Sequence, residues 1–268
     1  MGRTRVWTTA GMAAALTLGA GGLSAQADRG PDCEWSWGRD AERVCEVRDL
    51  ALERAPGRLD VDGGQNGGVR IMGTDDRGVR LEVEVWAQAR SEDRAEELVR
   101  AVRVRTDGGR IRAEGPETGR RESWGVSYWI WAPRETDVRV ETHNGGIRLA
   151  DLEGEIEFRA LNGGVTLSRL AGDVRGSTTN GGLDVELDGR AWEGRGLDVE
   201  TQNGGVELDV PDGYSAQLET GTVNGRLELD FPVTVSGRID RRVRATLGDG
   251  GAPVRVVTTN GGVRIRRR

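Results

Sequence analysis

The groups that carry most enzyme chemistry are scarce in this chain. It has one histidine, His143, so any catalytic triad or His-ligated metal would rest on that residue alone. Carboxylates are abundant, and pairs such as Asp184 with Glu186 and Glu207 with Asp209 recur. They recur as plain alternation, with nothing obvious to desolvate them and shift a pKa, which acid–base catalysis requires. The two cysteines, Cys33 and Cys45, would close a short disulfide loop in an oxidising compartment. The alternative, a metal pair, lacks further ligands. Glycine-rich segments are frequent, but none has the strand, glycine spacing and helix of a phosphate loop. The Asp residues do not recur at the spacing of a calcium-binding β-roll. The expectation is no enzyme, no catalytic residue, no cofactor and no metal site.

The glycines instead mark a repeat. Asn66, Asn144, Asn162, Asn180, Asn203 and Asn260 each open an Asn-Gly-Gly segment, and Asn224 opens Asn-Gly-Arg. From Asn144 onward the spacings are 18, 18, 23, 21 and 36, the last being two periods of 18. Asp107-Gly108-Gly109 reads as a degenerate copy, and a second is expected near Ser236-Gly237-Arg238. Six residues before the Asn stand Val138, Ile156, Val174, Leu197, Leu218 and Val254; three after it stand Ile147, Val165, Leu183, Val206, Leu227 and Val263. Thr recurs two places before it. Period-two alternation on both flanks predicts two short strands, each with one buried face. Asn and Gly tolerate the backbone of the corner between them. A second turn signal falls at Leu152-Glu153-Gly154 and Leu170-Ala171-Gly172, and the longer spacings add short inserts there.

One such copy cannot bury its apolar face alone, but stacked copies can. The expected fold is all-β: a single-stranded parallel β-helix, or β-solenoid, of about nine coils. With strands ~4.8 Å apart it would form a rod of roughly 45 Å, with a ladder of corner Asn side chains along one edge. One short amphipathic helix is expected over 91–103, where Ser91 is an N-cap and Ala95, Leu98, Val99 and Val102 have helical spacing. It, or the Cys33–Cys45 segment, would cover a strand edge.

The first 27 residues read as a signal peptide, with Arg3 and Arg5, an apolar stretch from Ala10 to Leu23, and Ala25-Gln26-Ala27 as the cleavage site. The apolar stretch is too short to span a membrane. Residues 28–58 would then form a Cys-containing cap and 59–268 the repeat domain. The chain carries a formal charge of −6, or −8 without Arg3 and Arg5, which argues against a nucleic-acid role. Every basic residue is arginine. Leu183 to Asp230 carries twelve Asp and Glu against three Arg, whereas Phe231 to Arg268 carries nine Arg against two Asp. That asymmetry fits a docking surface, with Arg266, Arg267 and Arg268 meeting an anionic envelope component, or weak calcium binding by stacked carboxylates. The simpler reading, which the alternation favours, is a solvated strand face with cross-strand ion pairs. Six of the seven tryptophans beyond the signal precede the main array. Trp129 and Trp131 share a face by parity; an exposed row could stack on sugar rings, and the alternative is a capping core.

These Thr-x-Asn-Gly-Gly repeats resemble the bacterial adhesin-like families of β-strand repeats, a domain of unknown function. So do the insert Trp192-Glu193-Gly194-Arg195-Gly196-Leu197, the segment Val210-Pro211-Asp212-Gly213, and the strand that ends Trp131-Ala132-Pro133. The resemblance covers roughly residues 59 to 268. It implies a β-helix fold, a location in the envelope, periplasm or cell surface, and no catalytic residue. The expected function is an exported, non-enzymatic structural or binding module whose partner is an envelope protein or a glycan. The alternatives are an envelope-stress or regulatory interaction module and a carbohydrate-active β-helix enzyme.

Overall fold

A computed structural model describes residues 4–7, 30, 31, 33, 41–52, 57–230 and 242–268. Apart from 4–7, the expected signal peptide lies outside the described residues, as do Trp35, Trp37 and Ser236-Gly237-Arg238. The protein is all-β, with one helix among the described residues and two large mixed sheets of 11 and 10 strands.

Each Asn-Gly-Gly segment carries the chain from the second sheet into the first. Asp137–Asn144, Glu153–Asn162, Ala171–Asn180 and Gly196–Asn203 lie side by side in the second sheet. Their continuations Ile147–Ala150, Val165–Ser168, Leu183–Glu186 and Val206–Val210 lie side by side in the first. All these neighbours are parallel and in register, so Val165 lies between Ile147 and Leu183, and Val174 between Ile156 and Leu197. Apolar side chains therefore meet apolar side chains along two columns: Val138, Ile156, Val174 and Leu197, and Ile147, Val165, Leu183 and Val206, are all at most 2% exposed. Each buried Val, Leu or Ile stabilises by about 1.5–3 kcal/mol relative to exposure, and that burial exists only between neighbouring copies.

Three details of the expected repeat are corrected. The copies do not stack in chain order: Pro253–Asn260 and Val263–Arg267 insert between the copy of Asn203 and the copy of Asn224. The 36-residue spacing is not two parallel copies, because Arg242–Leu247 runs antiparallel to the Ala216–Asn224 strand. Asp107-Gly108-Gly109 is not a corner between sheets. Gly108 and Gly109 have φ of 61° and 87° and close a hairpin in which Asp107 pairs with Arg110; two consecutive positive φ values suit the right-handed twist of a hairpin. The count of about nine like copies falls accordingly. Seven Asn-bearing copies stack among the described residues, and Arg110–Glu114 with Ser123–Pro133 continues the parallel pairing at one end.

Beyond that end the first sheet turns antiparallel. Ser123–Pro133 pairs with Val79–Ala89, which pairs with Glu42–Leu52; Thr4–Trp7 pairs along the outer side. The helix, Glu92–Ala101, packs on Glu42–Leu52 and Val79–Ala89. Ser91 caps it by accepting from the Arg94 amide, and Ala95, Leu98 and Val99 are its buried face. Cys33 and Cys45 form a disulfide.

Candidate functional site

Strand Ser123–Pro133 supplies the outward-facing aromatics. Val126, Tyr128, Ile130 and Ala132 are buried, so strand alternation turns Trp129 and Trp131 to the opposite face, where both are half-buried. The strand is paired on both sides. Trp129 stands between Arg70 and Glu82, and Trp131 between Met72 and Arg80. Trp86 lies on the same face of the neighbouring strand. Each ring carries a guanidinium: Arg70 lies 5.2 Å from the Trp129 centroid, Arg80 3.5 Å from Trp131 and Arg43 4.2 Å from Trp86. Such pairs hold the rings in fixed orientations. The Trp129 Nε1–H is shielded from solvent and has no hydrogen-bond partner. Tyr128 has its hydroxyl pKa raised by burial, and burial holds the Arg43 guanidinium below its usual range.

Two clefts flank Trp129. One, of about 510 Å³, reaches from Trp86 and Trp129 across Gly68, Gly146 and Gly164 to Asn66 and Asn144. The other, of about 470 Å³, lies beside Trp129 and Trp131 and includes Arg148, Thr166 and Ser168. Arg148 belongs to both; among the described residues it makes no hydrogen bond or ion pair, and its charge acts on Asp184.

The corner asparagines form a continuous chain of side-chain hydrogen bonds. Asn144 donates to Asn66, Asn162 to Asn144, Asn180 to Asn162, Asn203 to Asn180, Asn260 to Asn203 and Asn224 to Asn260, over 2.8–3.3 Å. Asn66 also donates to the Trp124 carbonyl at 3.2 Å; each amide, with two N–H groups and two lone pairs, has capacity beyond these bonds.

Arg266, Arg267 and Arg268, the expected basic binding surface, are each ion-paired. Their strand is interior to the first sheet, between two acidic ones. Arg266 pairs with Glu207, Arg267 with Asp212 and Arg268 with Glu186. Arg264 bridges Glu207 at 3.6 Å and Glu228 at 3.0 Å. The acidic band and the basic terminus thus neutralise one another in place. The alternating acids follow the same logic. Burial raises the pKa of Asp184 and of Asp209, but both stand on this ion-paired strand face. His143 is exposed and distant in register from them. No group of three or more His, Cys, Asp or Glu among the described residues is placed to hold a metal ion. Trp192 is buried, with its Nε1–H donated to the Gly172 carbonyl. Arg70, Arg80 and Arg148 were not singled out from sequence; they are scattered along the chain and converge only through the register of the first sheet.

No protein-family model matches the sequence, and no curated protein matches it. Solved structures resemble it in outline. A candidate cell adhesion protein of Clostridium sporogenes ATCC 15579 is 11% identical, aligns over 85% of this chain and 100% of its own, and has a TM-score of 0.44. A candidate adhesin of Bacteroides fragilis NCTC 9343 is 12% identical, over 84% and 97%, with a TM-score of 0.35. A candidate lipid-binding protein of Parabacteroides distasonis ATCC 8503 is 9% identical, over 82% and 97%, with a TM-score of 0.32.

Proposed function

We propose that this chain is an exported, non-enzymatic, adhesin-like binding module of the bacterial envelope, built as a two-faced parallel β-solenoid with Asn-Gly-Gly corners. The in-register parallel pairing of successive copies supports the solenoid. The Cys33–Cys45 disulfide supports an oxidising compartment. The observation that carries the binding role is the outward placement of Trp129 and Trp131 on a strand paired along both sides, beside a cleft lined by Arg148, Thr166 and Ser168. Rigid aromatic faces next to short hydroxyls and cations recognise pyranose rings, whose apolar faces stack and whose hydroxyls hydrogen-bond.

The experiment is a glycan array probed with the mature chain and with the Trp129→Ala, Trp131→Ala double variant. Glycan signal that disappears in the double variant is the expected result. Capture of an envelope protein with no glycan signal would instead favour the regulatory-interaction alternative and end the sugar-binding reading.

A further inference from the structure

The two glycines of each Asn-Gly-Gly segment are there for different reasons. A Cβ on the first would stand 1.9–2.2 Å from a carbonyl oxygen of the adjacent copy at Gly145, Gly163, Gly181, Gly204, Gly225 and Gly261. No side chain fits there, so the stacking itself demands glycine. A Cβ on the second meets nothing of the kind. Its nearest neighbour would lie at 3.6 Å for Gly164, 3.7 Å for Gly182, 3.5 Å for Gly205 and 3.6 Å for Gly262, which is ordinary contact; it is tighter, 3.1 Å, at Gly68 and Gly146. None of these second glycines has a positive φ. In the seventh copy the position is Arg226, and it is exposed. At Gly164, Gly182, Gly205 and Gly262 folding therefore permits a side chain, yet all four leave the position bare; at Gly68 and Gly146 the neighbouring carbonyl would have to give way.

What the bare positions create is depth. At Gly68, Gly146 and Gly164 the missing side chains form the floor of the cleft of about 510 Å³. Trp86 and Trp129 close one end, and Asn66 and Asn144 stand along one side with spare amide capacity. The charge is one-sided in an otherwise acidic protein. Arg43, Arg70 and Arg148 line the cleft against a single carboxylate, Glu84, which is buried and close enough to Arg43 to act on its charge. Arg70 is stacked on Trp129, and among the described residues Arg148 makes neither a hydrogen bond nor an ion pair, although its charge acts on Asp184.

We infer that this glycine-floored cleft binds an acidic polysaccharide, with Trp86 and Trp129 stacking on sugar rings, Asn66 and Asn144 taking hydroxyls, and Arg148 pairing with a uronate carboxylate. The inference rests on the sugar-binding reading above and adds the charge class and the position of the chain. A guanidinium that makes no hydrogen bond or ion pair among the described residues, in a cleft that also holds Trp86 and Trp129, is the group that would form a charge-assisted bidentate pair with such a carboxylate.

The test is calorimetric titration of the mature chain with hexagalacturonate and, separately, with the neutral cellohexaose. Hexagalacturonate should bind, and more weakly as salt rises. Arg148→Gln should weaken it by about tenfold or more. Gly164→Leu should abolish binding while leaving the thermal melt close to that of the parent. Gly205→Leu, equally permitted by the backbone but outside the cleft, should leave binding unchanged. Equal binding of both sugars with no effect of Arg148→Gln overturns the acidic class and leaves the sugar-binding reading standing. Binding of neither sugar overturns both. Undiminished binding in a folded Gly164→Leu variant overturns the position; if that variant does not fold, Arg148→Gln decides alone.

Discussion

The Asn260 side chain donates to that of Asn203 at 2.8 Å across 57 residues of chain. It also accepts from Asn224 at 2.8 Å. The last copy of the repeat is thus a wedge between two earlier ones. Charge accounts for it. Arg255 pairs with Asp198 at 2.5 Å and Glu200 at 3.2 Å, and lies beside Glu219. Arg264 sits between Glu207 and Glu228. Without the wedge, stacking the two acidic copies directly in the same register would set Asp198 against Glu219 and Glu207 against Glu228. Like charges directly opposite in a sheet are destabilising.

A chain ending at 252 should therefore lose several kcal/mol. Val254, Val256, Val263 and Ile265 are buried, each worth about 1.5–3 kcal/mol as an upper bound, and the acidic copies on either side lose their counter-charges. A synthetic peptide of residues 253–268 should restore stability in trans. Urea denaturation of the truncated chain with and without peptide checks this; a truncated chain as stable as the full one would show that the wedge is dispensable.

The threonine column two residues before the Asn has a specific task. Thr178, Thr201 and Thr258 are buried and donate to the carbonyls of Gly163, Gly181 and Gly204, the first glycines of the adjacent copies, at 2.7–2.8 Å. In the copy of Asn162 this position is Ala160, and Thr142 supplies the Gly145 carbonyl instead at 2.9 Å. Thr201→Val keeps the shape and removes the donor, so it should cost about 1–3 kcal/mol. Thr201→Ser should recover most of it. Equal stability of the Val variant and the parent in chemical denaturation would mean that the carbonyl finds another donor.

These particulars show what was legible in the chain and what was not. The alternation around each Asn gave the two strands and their buried columns, because burial acts on side chains that the pattern displays directly. The helix was legible for the same reason, through Ser91 and the spacing of Ala95, Leu98 and Val99. Phe158 and Gly176 occupy the same column as Val140 and Val199. In the fold a Cβ on Gly176 would lie 2.5 Å from the Phe158 ring, so one large side chain fills the space of two. The order of the copies was hidden, because apolar columns are interchangeable between neighbours and only the acid and base pattern distinguishes them. The hairpin at Gly108 was hidden because an acidic or amide residue followed by two glycines serves both a hairpin turn and a corner between sheets. Trp129 and Trp131 were legible as a pair by parity, whereas Arg148 became part of a site only through the register of the first sheet.

Arg48 ties the helix to the first sheet. Its guanidinium donates to the Val99 carbonyl at 2.8 Å and the Val102 carbonyl at 2.7 Å, and pairs with Glu46 at 3.0 Å. It adds a donor to the Val99 carbonyl, which also accepts from the Val102 amide at 3.3 Å, and caps the Val102 carbonyl, with charge of the favourable sign for a helix C-terminus. Arg48→Met keeps the stem and removes the donors. The expected cost is about 2 kcal/mol, accompanied by faster hydrogen exchange across 92–101 than elsewhere. Uniform exchange throughout the chain would show that the helix is held by its apolar face alone.

The bend opposite the Asn ladder is held by an ion pair whose contribution depends on pH. Asp151 and Arg169 occupy equivalent places in adjacent copies, both with left-handed backbones, φ 57° and 51°. Arg169 donates to the two Asp151 oxygens at 2.8 and 2.6 Å, and Arg134 lies 3.5 Å away. Hydrogen bonding from Arg169 lowers the Asp151 pKa below the ordinary value of 3.8, against an opposing effect of burial. A depressed carboxylate pKa contributes stability that is present above the unfolded value and is lost as pH falls through the folded one. Asn tolerates the left-handed backbone, so Asp151→Asn isolates the charge. It should cost about 1 kcal/mol at pH 7, the pair being partly exposed, and less at pH 2, because the contribution is lost progressively as pH falls below the ordinary value of 3.8 toward and through the lowered folded one. Denaturation curves at both pH values check this, and a gap of the same size at pH 2 would assign the cost to shape instead of charge.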